Sequence, residues 1–216
     1  MNDAFWNGCS RFFEWVLRLA YLNMLWVGFS LGGLIIFGLA PATVAMFAVI
    51  RQWELGRRDI PVFETFFETF KKEWGKSSIL GLILLLITLL LYFDFKMAVF
   101  YFGDQLAVLS LLVSLFIIYG IILLYICPIY VHYDLKQMEV LKYSFIIGFS
   151  QPLVSVMMVL SVSGVVLLSL FHFIFLALFS GSVLSFILTK LAFRAFHMDD
   201  HRREKGKEQA FSMRLK

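Results

Sequence analysis

Four histidines and two cysteines are the groups in this chain best suited to metal binding or acid–base work. His197 and His201 stand four apart, a spacing that lets two imidazoles on one helical face share a metal. The segment His197-Met198-Asp199-Asp200-His201 lacks the glutamate of the H-E-x-x-H pattern and sits in a charged tail, so it reads as a solvated juxtamembrane stretch. His132 and Asp134 lie two apart, beside Tyr130 and Tyr133. An imidazole–carboxylate pair there is a candidate dyad, although the flanking tyrosines favour anchoring at a membrane interface. His172, inside a long apolar stretch, reads as a neutral ring hydrogen-bonded to a neighbouring helix. Asp94 beside Lys96 reads as an exit pair, since intramembrane acids are functional by default only when they are deep. Cys9 and Cys127 lie in different apolar contexts and imply no disulfide framework. No G-x-S-x-G, P-loop, glycine-rich dinucleotide motif or cysteine cluster occurs, which argues against an ATPase or a redox enzyme. The residues therefore assign no catalytic group, cofactor or metal.

The elements that carry these groups are set by hydrophobicity. Apolar residues make up 61% of the chain and charged residues 16%, against roughly 45–50% and about 25% in soluble domains. No Asp, Glu, Lys or Arg lies between Arg18 and Arg51, Lys76 and Asp94, Asp104 and Asp134, or Lys142 and Lys190. The last gap is roughly 70 Å as helix, enough for two crossings of a core about 30 Å thick. The net charge of +4 sits on cations that flank apolar runs. They report orientation and attraction to anionic lipid, not nucleic acid. Ala40-Pro41-Ala42 imitates a signal-peptidase site, but the apolar run before it is too long and follows Asp3 and Glu14, so cleavage is not expected.

These patterns predict an all-α, polytopic helical membrane bundle: five spans, a short return helix and cytoplasmic amphipathic helices. Residues 1–198 form a single helical membrane domain and 199–216 a charged cytoplasmic tail that frays. The spans are expected over 19–39, 77–95, 106–129, 153–176 and 181–196. In the first, Asn23 reads as a hydrogen-bonding group to another helix. Gly38 to Ala40 reads as a break, and Pro41 opens the return helix over 41–53 as a first-turn residue. There Thr43, Ala45 and Ala48 keep one face slim for close packing, and Arg51 and Trp53 mark where apolar chain meets headgroups. After Pro61, residues Phe63, Phe66, Phe67, Phe70 and Trp74 recur at helical spacing, with Glu64, Glu68 and Lys72 opposite. This pattern predicts an amphipathic helix on the membrane surface, with anchoring preferred to partner binding. Pro128 closes or bends the third span. A second amphipathic segment follows to residue 149 and stops at Ser150-Gln151-Pro152. A break at Ser180-Gly181-Ser182 would echo the one before Pro41, which weakly suggests an internal pseudo-repeat.

Lys and Arg concentrate between Arg51 and Lys76, from Lys136 to Lys142 and from Lys190 onward, so those three blocks and the C-terminus are expected in the cytoplasm. The side of the N-terminus depends on whether 41–51 crosses the bilayer. Charge favours a return helix and length favours five spans.

P-A-T-V-A-M-F-A-V-I-R-Q-W over 41–53, I-P-V-F-E-T-F-F-E-T-F-K-K-E-W over 60–74, and P-I-Y-V-H-Y-D-L-K from Pro128 with Gln151-Pro152 further on together resemble the YesL family. These are small bacterial integral membrane proteins, a domain of unknown function, and the resemblance spans nearly the whole chain. It implies a multi-pass protein of the bacterial plasma membrane whose relatives tend to be encoded beside sugar ABC importers and carbohydrate-degrading enzymes. No catalytic residues are established for the family, so none carry over. The last helix departs from the family pattern in lacking a proline near Val183.

The reading that follows is a non-enzymatic membrane protein, accessory to carbohydrate uptake, whose partners are the bilayer and a sugar ABC permease or a second copy of itself. The alternatives are a small transporter or channel built on the break at Gly38 to Pro41, and a membrane enzyme acting on lipid or glycan through His132 and Asp134. Candidate functional or packing residues are Gly38, Pro41, Thr43, Arg51 and Trp53; Pro61, Phe66 and Trp74; and Pro128, His132, Asp134 and Pro152.

Overall fold

The computed structural model describes residues 2–35, 37–103, 105–133, 135–171 and 173–214. Their regular structure is helical throughout: α1 (Asn2–Gly32), α2 (Leu39–Glu54), α3 (Val62–Phe102), α4 (Leu106–His132), α5 (Gln137–Ser150), α6 (Pro152–Phe171) and α7 (Phe173–Arg214). Among the described residues, four stretches are long and apolar enough to cross a bilayer: Val62–Tyr101, Val108–His132, Pro152–Phe171 and Leu178–Asp199. Leu86, Leu90 and Phe93 of α3 and Leu160, Leu167 and Leu170 of α6 are more than half exposed. Continuous apolar surface of this kind is compatible with lipid and not with water. The chain is a multi-pass membrane protein.

The first expected span is not one helix. α1 ends at Gly32, and its uncharged part after Arg18 rises only roughly 21 Å, short of a core about 30 Å thick. The chain then reverses through a turn tied by Gly33 N–H to Phe29 O at 3.0 Å, Ile35 N–H to Ser30 O at 2.9 Å and Leu39 N–H to Ile35 O at 2.9 Å. A Cβ on Gly38 would lie 2.7 Å from both Ser30 O and Gly33 Cα, so only glycine lets the two arms approach. Leu34 and Ile35 stand at φ 58° and 61°, a left-handed conformation costly for a β-branched residue. α2 follows as expected, two residues longer at its start, with Pro41 in its first turn. There the missing N–H has no intrahelical partner to lose.

The amphipathic stretch after Pro61 is likewise not a separate surface element. It is the first part of α3, a continuous helix of 41 residues, because nothing between Trp74 and Ser77 breaks helical geometry. Pro128 neither closes α4 nor ends its pattern: the helix runs on to His132. The expected break at Ser180-Gly181-Ser182 is absent, since α7 passes through it unbroken. The pseudo-repeat loses its support with it. α7 also continues to Arg214, where a frayed tail was expected. Its Arg-, Glu- and Lys-rich sequence has good intrinsic helix propensity.

The chain divides into two compact units, Met1–Leu90 with Ser161–Phe186, and Leu91–Leu160 with Ile187–Lys216. In the first, α1, α2 and the start of α3 close around Leu22, Ala42, Ala45, Met46, Val49, Ile50, Trp53, Phe66 and Phe70. Ala42 and Ala45 of α2 are fully buried, which brings the helices close, and Phe66 and Phe70 of α3 fill the remaining space. In the second, α5 lies against α4. Glu139 in its first turn accepts from the Lys136 backbone N–H at 3.1 Å, satisfying one of the donors a helix start leaves over. A Cβ on Gly148 would collide with Ile121, so glycine sets how closely α5 approaches α4.

Candidate functional site

The polar side chains of α1 tie it to its neighbours. Trp26 Nε1 donates to Thr43 Oγ1 at 3.0 Å, and the Thr43 hydroxyl donates to Leu39 O at 2.7 Å, which joins the hairpin arms. Asn23 is fully buried, and its Oδ1 accepts from the Ser182 backbone N–H of α7 at 3.1 Å. Asn23 is thus the helix-to-helix hydrogen bond its sequence context implied. Gly181 makes the contact possible, since a Cβ there would stand 2.8 Å from Asn23 Oδ1. Both of these partners lie too far along the chain to be read from local pattern.

At the other end of the hairpin, Trp53 is 3% exposed and meets Trp15 edge-on at 5.6 Å. It belongs to the core of the first unit. Trp15 also meets Phe186 at 5.7 Å and carries the Arg58 guanidinium over its ring at 5.5 Å. Arg18 Nη1 donates to Arg58 O at 2.6 Å, so the middle of α1 holds the α2–α3 loop. Arg51 Nε and Trp53 Nε1 are buried without a hydrogen-bond partner among the described residues. Pro61 is exposed and starts α3, its carbonyl accepting from Thr65 N–H at 3.0 Å.

The aromatic stripe of α3 is divided. Phe66 and Phe70 are buried, and Phe29 of α1 meets them at 5.3 and 4.9 Å. Phe63 and Phe67 stack at 6.0 Å on the exposed side, and Trp74 is exposed with its edge on Phe70 at 5.0 Å. Phe29 also reaches Phe67 at 5.9 Å and Phe63 at 6.4 Å, so the stripe is buried along one edge and half-exposed along the other.

In the second unit, His132 ends α4 among rings: Tyr133 at 4.6 Å, and Phe193 and Phe196 of α7 each at 4.9 Å. Tyr133 stacks in turn on Tyr143 of α5 at 6.3 Å. This joins the end of α4 to the middle of α5 and of α7, and Phe193 and Phe196 are the members that sequence reading missed. Asp134, the other half of the expected dyad, lies outside the described residues, as do His172 and the side chain of His201. Behind it, Pro128 is buried within α4, and Pro152 is exposed at the start of α6. Between them Tyr125 OH and Ser155 Oγ stand 3.1 Å apart, and Ser155 Oγ donates to Gly148 O at 2.8 Å. Among the described residues no three His, Cys, Asp or Glu come together as a metal site.

Residues 19–95, which hold the hairpin and most of α3, match a family described as "Protein of unknown function, DUF624". The chain is 51% identical over 201 residues to the "Uncharacterized protein YesL" of Bacillus subtilis (strain 168), covering 93% of this chain and 95% of that protein. It is 36% identical over 200 residues to the "Uncharacterized protein YesV" of the same organism, covering 91% and 93%. To the "Uncharacterized protein YteU" it is 39% identical over 142 residues, covering 64% and 62%. No solved structure matches.

Proposed function

The chain belongs to the YesL family, and from that premise we propose that it is a non-enzymatic accessory protein of the bacterial plasma membrane that docks on a sugar ABC permease. The observation that carries this reading is the division of the α3 stripe. Phe66 and Phe70 are spent on the core, while Phe63 and Phe67 remain as a stacked, half-exposed pair next to Glu64 and Glu68. Aromatic pairs with a polar surround are the usual anchors of a protein interface. Exposed Phe145 and Phe149 of α5, whose rings stand 4.7 Å apart, offer a second such surface. The link to sugar uptake is supported by the company that family members keep. The cations between Arg51 and Lys76 and from Lys190 onward support a cytoplasmic side for the α3 surface and for the C-terminus.

The test is copurification from detergent-solubilised membranes of the native host with the full chain tagged. A permease subunit enriched by about tenfold over untagged control, and lost with Phe63→Ala plus Phe67→Ala, is the expected outcome. Recovery of no permease subunit refutes the reading. A C-terminal tag removed by protease added to intact cells refutes the orientation.

A further inference from the structure

The turn that joins α1 to α2 holds five large apolar side chains outward: Leu31, Leu34, Ile35, Phe37 and Leu39 are between 44% and 80% exposed. A reversal in water is ordinarily built from Gly, Asn, Asp, Pro or Ser. At the left-handed positions 34 and 35 glycine would carry no steric cost, yet they hold Leu and Ile. The backbone of the turn is closed on itself. The N–H groups of Gly33, Leu34, Ile35 and Leu39 are bonded within the hairpin, and Phe37 O accepts from Ser78 Oγ of α3 at 2.9 Å. Polar groups satisfied inside and aliphatic chains outside suit hydrocarbon, where backbone has no water to turn to.

Contacts with α3 set the depth of this apex. From Ser77 to Phe93 the helix carries no charge. That run rises about 26 Å, so a core about 30 Å thick takes in all of it, including its first residues. The apex meets those first residues: Ser78 bonds Phe37 O, and a Cβ on Gly81 would lie 2.6 Å from the Ala40 Cβ. Ile79 and Leu82, exposed on another face of α3, stand at the same height. The face differs but the depth is shared, so the outer side of the apex lies at the level of lipid. The open end of the hairpin stays with the charges. Trp15 meets Trp53 at 5.6 Å, and Arg18 reaches both Arg58 O at 2.6 Å and the Asp59 carboxylate at 3.8 Å. Both arms therefore start and finish beside the α2–α3 loop.

We propose that the α1–α2 hairpin is a re-entrant membrane anchor, its apex over residues 31–39 immersed in the acyl chains of the leaflet through which α3 enters. The segment before Arg18 does not cross the bilayer, and it shares a side with the α2–α3 loop.

The experiment uses the full chain in native membranes, with a photoreactive amino acid in place of Leu34, of Leu82 as the lipid-facing reference, or of Arg57 as the aqueous one. After irradiation the purified protein is weighed for adducts. Lipid adduct at position 34 is expected within about twofold of that at 82 and about fivefold or more above that at 57. Yield at 34 no higher than at 57 places the apex in water and overturns the proposal. Adduct at 34 with a second copy of the chain, or with another protein, in place of lipid overturns it as well. Sidedness is read separately, by a protease-sensitive tag placed before Met1 or inserted after Gly56 in the exposed α2–α3 loop. Both tags should be cut in the same preparation, intact cells or inside-out vesicles, and spared in the other. One tag cut in each preparation means that α1 crosses the bilayer, and it overturns the proposal whatever the crosslinks show.

Discussion

Replacing Phe66 by alanine separates a packing helix from a surface helix at the start of α3. The Phe66 side chain is completely buried, lies 5.3 Å from the Phe29 ring and belongs to the core that joins α1, α2 and α3. Removing a buried phenyl ring costs about 3–5 kcal/mol, combining lost contacts with the cavity left behind. Phe63, three residues earlier on the same stripe, is 48% exposed. Half of the roughly 1.5–3 kcal/mol for burying such a side chain puts Phe63→Ala near 1 kcal/mol. At about 2–4 °C per kcal/mol for a domain of this size, Phe66→Ala should lower the thermal midpoint by roughly 6–20 °C and Phe63→Ala by roughly 2–4 °C. The assay is thermal unfolding of both variants and the parent in one detergent, followed by size exclusion and by intrinsic tryptophan fluorescence. Using one detergent cancels most of the uncertainty in the absolute scale, because the contrast between neighbouring phenylalanines carries the argument. Equal shifts, or a larger shift for Phe63→Ala, would mean that the whole stripe faces the same medium, and the three-helix core would be wrong.

Three further outcomes follow from single contacts, each read by the same thermal midpoint. Gly181→Ala should destabilise by about 1–3 kcal/mol, since its methyl enters the space of Asn23 Oδ1, while Gly28→Ala, facing open space, should change the midpoint little. Equal effects would refute the α1–α7 contact. Ile35→Gly should stabilise by about 0.5–1 kcal/mol, because the left-handed φ of 61° costs a non-glycine residue roughly 1–2 kcal/mol and glycine recovers most of it. A lowered midpoint would show that the turn is not strained. Ser155→Ala should cost about 1–3 kcal/mol by leaving Tyr125 OH without its hydroxyl partner, and Tyr125→Phe less, about 0.5–1.5 kcal/mol. The reverse order would exclude Ser155 as the centre of that network.

What the sequence by itself determined is where the chain meets lipid and where its helices can start. The uncharged runs on α3, α4, α6 and α7 must be helical in a bilayer, because backbone polar groups there have no other partners. Pro41 placed the start of α2 to within two residues, because a first turn has no N–H bond for proline to break. Asn23 could be read as an interhelical hydrogen bond, since a lone amide in an apolar helix needs one, but Ser182 as its partner could not. The tertiary structure alone decided which neighbour covers each face. Helical periodicity grouped Phe63, Phe66, Phe67, Phe70 and Trp74 on one stripe correctly, yet it is the same for a stripe on lipid as for one on another helix. Only the fold of α1 back on α2 buried Phe66 and left Phe63 outside. Trp53 shows the same limit: an indole beside an arginine satisfies the pattern of a membrane boundary, and only the tertiary fold, which sets it against Trp15, shows that it is covered by protein. The hairpin itself turned on Gly33 and Gly38. Their need for glycine is a distance between two backbones, and no local stretch of sequence contains that distance.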